Sequence, residues 1–293
     1  MQTRKQEEKK MITKKLSNGV EIPMLGFGVY TMREAAECEE CVREALDAGF
    51  RHIDTAAIYG NEPAVGKAIR ESGIDRKEIF LTTKLWVQDY TYEKAGPAID
   101  DALKRLDTDY LDLLLIHQPF GDIYGTWRAM VEAYEAGKVR SIGVSNMYPD
   151  RMMDLIMNMR PVPMVNQVRT NPYYQNILNH QIMDEGNVTH EAHSPFSQGD
   201  ARIFEEPVLL DIAAAHSKSV GQVILRWLIQ RDIVTLTRTR RKERMSENID
   251  IFDFELTEKE MEAIKTLDRP DGNAHNHRDP EIVRRSSSSR YSY

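Results

Sequence analysis

The segment DLLLIHQPFGDIYGTWRAMVEAYEAGKVRSIGVSN, residues 112–146, contains the pattern that decides the fold. It begins with an apolar run that ends at His117, and it finishes with a second apolar run that ends at Ser145. Between the two runs, Ile123, Trp127 and Met130 are spaced so that they share one face of a helix. A strand, a helix and a second strand in this order predict a βαβ unit with parallel strands.

The same alternation continues through most of the chain. Eight such units over roughly 250 residues, without a break in composition, favour an α/β fold consisting of one (β/α)8 TIM barrel over two domains. An Asn18-Gly19 turn near the start predicts an N-terminal β-hairpin, and periodic segments near 220–228 and 257–267 predict extra helices. The predicted barrel strands are LGFG, FRHID, IFLTTK, DLLLIH, RSIGVS, PMVNQV, NVTHEAHS and DIVTLT.

The ends of the chain differ from this pattern. We interpret residues 1–11 as a charged leader, 12–283 as a single barrel domain, and 284–293 as a Ser-rich tail that we expect to be disordered. We expect a cytoplasmic protein with no membrane association, because no apolar run approaches the roughly 20 residues needed to span a bilayer. The net charge of -7 and the lack of an aromatic stripe beside the basic run TRTRRKER, residues 237–244, disfavour a nucleic-acid partner.

Three short motifs invite other interpretations, and each is weak. Cys38 and Cys41 have C-x-x-C spacing, but the glutamates around them disfavour a thiolate, so we expect ordinary reduced thiols. His190 and His193 lie an odd number of residues apart, which sends them to opposite faces of a strand, and we expect no metal site. The glycines in residues 26–28 lack the third glycine of a dinucleotide-binding fingerprint.

Polar side chains end three successive predicted strands, at Asp54, Lys84 and His117, and Tyr59 follows Asp54 by five residues. The active site of a barrel lies at the C-terminal ends of its strands, so these four side chains are expected to share one cleft. Each of them alone also has an ordinary structural interpretation, as a solvated strand end or a helix cap.

Together these residues suit proton delivery to a carbonyl oxygen. A free phenol has a pKa of about 10, and a neighbouring Lys ammonium lowers it by favouring the phenolate. Asp54 would hold Lys84 in place, and His117 would donate to the substrate oxygen or orient it.

These residues belong to motifs that resemble those of the aldo-keto reductases, in the same order and at similar spacing. The resemblance runs from about residue 16 to 283 and is strongest to the bacterial branch grouped with the 2,5-diketo-D-gluconate reductases. It implies NADPH-dependent reduction of aldehydes or ketones to alcohols, with Tyr59 as general acid, Lys84 and Asp54 tuning it, and His117 positioning the carbonyl. The motifs are DTAAIYGNE at 54–62, TKLW at 83–86, LIHQP at 115–119, GVSN at 143–146 and VNQ at 165–167.

The resemblance also implies positions for NADPH/NADP+ and for the substrate. Three residues would hold the nicotinamide carboxamide: Ser145, Asn146 and Gln167. The pyrophosphate would lie beside Ser194 and Phe196, and Gly28 would let the backbone pass close to both ligands. The substrate pocket would be lined by Tyr30, Trp86 and Gln118, and the C-terminal segment would form a loop over the barrel mouth.

Two departures from the family pattern concern the cofactor. His193 stands where the family usually stacks a larger aromatic ring on the nicotinamide, and an imidazole has a smaller face that can carry a charge. After the eighth strand, LTRT at 236–239 replaces the usual I-P-K-S. There, Arg238 and Thr239 keep the positive charge and the hydroxyl, which favours NADPH over NADH. The resemblance places the remaining phosphate and adenine contacts at Arg244, Glu247 and Asn248.

A different class of function stays open at this point. Some members of the family hold the cofactor as binding or regulatory subunits with little turnover, and His193 is the residue that keeps this alternative in view. For the enzyme, we expect a small carbonyl substrate as the partner and a monomer as the functional state.

Overall fold

The computed structural model describes residues 12–269 and 276–293, so the predicted leader 1–11 lies outside the described residues. The predicted hairpin is present: β1 (Thr13–Lys15) pairs antiparallel with β2 (Glu21–Pro23). Gly19 turns the chain between them at a φ of 89°, a left-handed conformation that glycine adopts without strain.

Eight parallel strands then close into a barrel, which confirms the predicted TIM-barrel fold. The first strand pairs with the last, so the sheet has no free edge. These strands are buried on both faces, which explains why they appear in the sequence as continuous apolar runs. They are β3 (Leu25–Gly28), β4 (His52–Asp54), β5 (Phe80–Leu85), β6 (Leu113–Ile116), β7 (Ile142–Ser145), β8 (Val165–Arg169), β9 (Thr189–His193) and β10 (Val234–Thr237).

Helices surround the strands and pack on them through apolar faces. Six follow the first six barrel strands: α1 (Ala35–Ala48), α2 (Glu62–Glu71), α3 (Tyr92–Leu106), α4 (Ile123–Glu135), α5 (Pro149–Asn158) and α6 (Ile177–Glu185). The later ones are α7 (Pro207–His216), α8 (Val220–Gln230), α9 (Lys242–Ile249), α10 (Glu258–Lys265) and α11 (Pro280–Ser288), which include the extra helices that the sequence predicts. Within the described ranges no single helix is long and apolar enough to cross a membrane, although the bent pair α7 and α8 meets that test by length and composition.

Gly26 in β3 is required by the packing inside the barrel. A Cβ atom at this position would lie 2.6 Å from His52 Nδ1 and 2.6 Å from Leu236 Cδ2. Gly28, two residues further on, has room, because the nearest atom to its Cβ would be the Thr237 carbonyl oxygen at 3.7 Å. The two glycines therefore serve different purposes: the first allows close packing, and the second lies beside the barrel mouth.

The cysteines of α1 are free, and both are buried. Burial, followed by the charges of Cys41, Glu39 and Glu37, raises the pKa of Cys38 to about 12. Burial and Glu37 also raise the pKa of Cys41. Both groups are therefore thiols at neutral pH, as the surrounding glutamates lead us to expect.

The C-terminal segment differs from the predicted disordered tail. Helix α11 continues through Ser288, and the residues after it make hydrogen bonds with the loops at the barrel mouth. Tyr291 donates to Asp89 Oδ2 at 2.6 Å, and Tyr293 donates to the Ala57 carbonyl at 2.8 Å. A Ser-rich composition predicts disorder only when nothing else fixes the chain, and here two tyrosines do so.

Candidate active site

A cleft of about 860 Å³ opens at the C-terminal ends of the barrel strands. The structure brings most of the predicted site residues to its wall, although they come from five barrel strands and from the loops that follow seven of the eight strands. Five predicted residues are not part of that wall: Lys84, Thr239, Arg244, Glu247 and Asn248. The predicted residues that line it are Gly28, Tyr30, Asp54, Tyr59, Trp86, His117, Gln118, Ser145, Asn146, Gln167, His193, Ser194, Phe196 and Arg238.

Lys84 lies directly behind the wall, in a buried ion pair with Asp54. Its ammonium donates to both oxygens of the Asp54 carboxylate, at 2.5 and 2.6 Å, and to the Thr55 carbonyl at 3.0 Å. The Lys84 side chain is fully buried. Removing either partner would leave an uncompensated buried charge, which typically costs roughly 3–5 kcal/mol.

Tyr59 ends a short 3-10 helix, Ala57–Tyr59, in the loop after β4. The Lys84 ammonium lies 5.5 Å from the centroid of its ring. Burial raises the pKa of the Tyr59 phenol well above its usual value, Asp54 and Tyr30 raise it further, and only Arg238 lowers it.

The expectation that Lys84 lowers the pKa of Tyr59 is therefore wrong for this structure. The charge of Lys84 is compensated by both oxygens of Asp54, so the burial of the phenol dominates. As a result, Tyr59 holds its proton throughout the neutral range.

The imidazole of His117 stands beside Tyr59, with ring centroids 5.6 Å apart, and beside Trp86, at 5.1 Å. Burial, followed by the charges of Lys84, His193 and His277, lowers the pKa of His117 well below its usual value. A neutral imidazole offers one N–H donor and one acceptor. Nδ1 of His117 is buried without a partner among the described residues, so Nε2 is the ring nitrogen that can face the cleft. His117 is thus placed to donate one hydrogen bond to a ligand in the cleft without carrying a charge.

The three residues predicted to hold a carboxamide lie side by side on β7 and β8. Asn146 Nδ2 donates to the His117 carbonyl at 2.9 Å and to Ser145 Oγ at 3.1 Å, while Ser145 Oγ donates to the Gln167 carbonyl at 2.8 Å. The amide of Gln167 donates to Asp54 Oδ2 at 2.9 Å and to Glu191 Oε2 at 2.8 Å. This network fixes the amides against the ion pair.

His193 ends β9 in the wall of the cleft. Its Nε2 lies 3.2 Å from Asn146 Oδ1, and its Nδ1 lies 3.0 Å from Ser194 Oγ. The imidazole of His193 therefore contacts the side-chain amide of Asn146, and it also lines the cleft.

The basic run after β10 is held by protein partners. Arg238 donates to the Tyr30 carbonyl at 2.9 Å and to Thr31 Oγ1 at 2.5 Å. Arg240 pairs with Glu37 at 2.6 Å, and Thr239 Oγ1 accepts from the backbone N–H of Arg241. These contacts join the β10 loop to the β3 loop at the rim of the barrel.

The other predicted phosphate and adenine contacts lie on α9. Arg244 pairs with Glu247 through distances of 2.8 and 2.9 Å, and both remain partly exposed. Asn248 is buried. These residues lie on the helix that follows Arg238 in sequence, and they are not part of the wall of the cleft.

Several residues of the wall were missed by the sequence analysis. One of them had a signal in the sequence: Arg169 follows Gln167 by two positions in a strand, and alternate strand residues share a face. The others come from loops, from α6 or from the C-terminal helix α11, whose positions cannot be read from a strand pattern. The missed residues include Arg169, Tyr174, Asn176, Asn179, Gln198, Ile282 and Arg285.

The charge of the wall suits a ligand that carries phosphate. Four arginines line the cleft, Arg33, Arg169, Arg238 and Arg285, and among the described lining residues the single carboxylate is Asp54, which is already paired with Lys84. A Cβ atom on Gly28 would meet ordinary packing distances only, so the glycine leaves space beside the cleft that the protein itself does not need. A negatively charged dinucleotide therefore fits this site.

A closed parallel barrel with a phenol, a neutral imidazole and a buried ion pair at its mouth defines a class of barrel oxidoreductases that act on carbonyl groups. The chain belongs to the Aldo/keto reductase family, whose model matches residues 24–269.

Individual proteins agree with this assignment. Glyoxal reductase of Bacillus subtilis is 45% identical over 259 residues, covering 88% of this chain and 93% of that protein. The solved structure of a Bombyx mori aldo-keto reductase in complex with NADP is 32% identical, covers 94% of this chain and 97% of that one, and superposes with a TM-score of 0.87. A structure provisionally described as 2,5-diketo-D-gluconic acid reductase B is 39% identical, covers 91% and 95%, and has a TM-score of 0.86. The branch that the motifs indicate is thus represented among the solved structures similar to this chain.

Proposed function

We propose that this protein reduces aldehydes and ketones to alcohols with NADPH, and that Tyr59 donates the proton. The observation that carries the proposal is the convergence of Tyr59, His117 and the Lys84–Asp54 pair at one end of the cleft. The bound nicotinamide would supply the hydride. The residues of this chain would hold the carbonyl, supply the proton and exclude water.

The protonation states of His117 and Tyr59 support these roles. A neutral His117 donates to the substrate oxygen and directs it toward Tyr59, whose phenol keeps its proton until negative charge develops on that oxygen. Lys84 and Asp54 then provide a fixed dipole beside the phenol, in a site from which water is largely excluded.

For the cofactor, we infer a preference for NADPH over NADH. Ser145, Asn146 and Gln167 would hold the carboxamide, His193 would face the nicotinamide ring, and the segment containing Ser194 and Phe196 would lie beside the pyrophosphate. At the adenosine end, the 2'-phosphate would be recognised by Arg238, Thr239 and Arg244, with Glu247 and Asn248 beside the adenine. The Bombyx mori structure contains NADP, which supports this choice at the level of the family.

The test is NADPH consumption with a panel of small aldehydes, for the wild type and Tyr59→Phe. Loss of a general acid typically lowers kcat by about 10²–10⁴-fold, and we expect a loss in this range. Tyr92→Phe is the matched control, because the Tyr92 hydroxyl is exposed and bonds to Glu132, away from the cleft. No consumption by the wild type would overturn the proposal and favour the alternative, a cofactor-binding regulatory protein with little turnover.

We also propose that the protein acts on its small carbonyl substrate as a cytoplasmic monomer. Gel filtration combined with light scattering tests the monomer, which a mass of twice 33.8 kDa would contradict.

A further inference from the structure

The side chain of Arg169 is buried in the wall of the cleft with most of its hydrogen-bonding capacity unused. It ends β8, and 6% of its surface is exposed. One terminal nitrogen donates to Ser197 Oγ at 3.1 Å, whereas Nε and the other terminal nitrogen have no acceptor among the residues that the structure describes. A guanidinium remains charged in proteins, so this is a buried cation with unmet donors.

Some other partly or fully buried arginines of the fold are paired with carboxylates, and others, such as Arg51 and Arg231, donate to backbone carbonyls. Arg76 contacts Asp112 at 2.8 Å, and Arg105 contacts Glu62 at 2.6 Å. Arg169 has no carboxylate within 4.0 Å among residues 12–269 and 276–293. Burying an unpaired charge and unmet donors is costly, so a fold that keeps Arg169 here is expected to receive the compensating negative charge from a ligand.

The position of Arg169 limits what that ligand can be. In the order of the closed barrel, β8 stands four strands from β4, so Arg169 lies across the mouth from Tyr59. Toward the other side, β9 alone separates β8 from β10, which Arg238 follows.

The segment after β9 completes this part of the wall. Ser194, Phe196, Gln198 and Gly199 line the cleft beside Arg169. A dinucleotide with its carboxamide at β7 and β8 and its 2'-phosphate near Arg238 must pass its diphosphate over this segment.

We propose that Arg169 binds the diphosphate bridge of NADP(H) through the guanidinium nitrogens that lack an acceptor. This inference rests on the proposed cofactor. It adds Arg169 to the residues expected to bind that cofactor, and none of the sequence motifs gives Arg169 this role. A planar fork of two N–H groups matches two phosphate oxygens and forms charge-assisted hydrogen bonds, which are the strong ones. The diphosphate is common to NADPH and NADH, so Arg169 strengthens the binding of both and does not discriminate between them.

Fluorescence titration of the wild type, Arg169→Met, Arg169→Lys and Arg244→Ala with NADPH and NADH tests the assignment. We expect Arg169→Met to weaken both dinucleotides by a similar factor, about tenfold to a hundredfold. Arg169→Lys is expected to recover part of this loss, because it restores the charge without the planar fork. Arg244→Ala, by contrast, is expected to weaken NADPH alone.

Thermal unfolding separates a binding role from a structural one. Since Arg169→Met removes an unpaired buried cation, the free variant is expected to unfold at the wild-type temperature or above it. Inorganic pyrophosphate is then added to both proteins, and the inference predicts that it stabilises the wild type and not the variant.

Unchanged dinucleotide affinity in Arg169→Met overturns the inference while leaving the proposed reductase intact, and so does equal stabilisation of both proteins by pyrophosphate. If the wild type binds no dinucleotide, the proposed function fails, and the pyrophosphate experiment still decides whether Arg169 forms an anion site.

Discussion

Glu191 provides a prediction that links the buried network of the site to the stability of the protein. Its carboxyl group lies in β9 with no exposed surface. One oxygen accepts from Gln167 at 2.8 Å, and the other has no hydrogen-bond partner within the described part of the chain. The nearest basic group is His52 Nε2 at 3.6 Å, but burial and Lys84 lower the pKa of His52 to about 3, so it is neutral.

Glu191 is therefore expected to hold its proton at neutral pH. Burial raises its pKa from 4.5 to about 8, and Asp54 contributes in the same direction. Above pH 4.5 the unfolded chain releases this proton while the folded protein keeps it, so the free energy of unfolding falls as the pH rises toward 8. At 1.36 kcal/mol per pKa unit, the full shift corresponds to roughly 5 kcal/mol.

The substitution Glu191→Gln tests this prediction. It keeps the size of the side chain and an acceptor for Gln167, and it removes the carboxyl group that titrates. Urea unfolding of both proteins is measured between pH 5 and 8. The stability of the variant relative to the wild type is expected to increase by roughly 3–4 kcal/mol over this pH range. Glu185→Gln, an exposed substitution, is the matched control for effects on the unfolded chain. A difference between Glu191→Gln and the wild type that does not change with pH would refute the reasoning.

Two further predictions concern packing and the C-terminal segment. Gly26→Ala is expected to destabilise the protein by about 1–3 kcal/mol in urea unfolding, because its Cβ would lie 2.6 Å from His52 and Leu236. Gly28→Ala has room for a Cβ and is expected to leave the stability unchanged. Equal stability of the two variants would contradict this prediction. Deletion of residues 289–293 removes the carbonyl that accepts from Trp86 Nε1 at 3.0 Å and the contact of Tyr293 with Ala57. We expect KM for small aldehydes to rise about fivefold with little change in kcat, because the loss of one net hydrogen bond costs about 1 kcal/mol. Steady-state kinetics measure both constants. An unchanged KM would exclude a role for the segment in the pocket.

The barrel was predictable from the sequence because each strand is a short apolar run and each connecting segment has helical spacing. Asp54, Lys84 and His117 were predictable for the same reason, since a polar residue that ends a buried strand must lie at the mouth. Both predictions depend only on the order of strands and helices along the chain and on closure of the sheet.

The electrostatics of the site could not be predicted in the same way. Whether the pKa of Tyr59 rises or falls depends on the balance between burial and the charge of Lys84, and that balance is decided by both oxygens of Asp54 contacting the ammonium. Arg238 likewise looked free for a phosphate, and its contacts with Tyr30 and Thr31 arise from a loop some 200 residues away in sequence.

The C-terminal segment was mispredicted because composition describes the average behaviour of a chain. Four consecutive serines favour disorder, but Tyr291 and Tyr293 dock against residues far away in sequence. Only the three-dimensional position of Asp89 and Ala57 shows that these partners are within reach.

The two buried cysteines of α1 have a practical consequence. They are the only cysteines of the chain, and both are shielded thiols with raised pKa values, so reagents that label thiolates would react with them slowly. A single introduced cysteine, for example Ser288→Cys at the exposed end of α11, would then carry a dye or a spin label at one known place. The natural sequence is therefore a suitable background for following the rim of the cleft by fluorescence or electron paramagnetic resonance while ligands enter and leave.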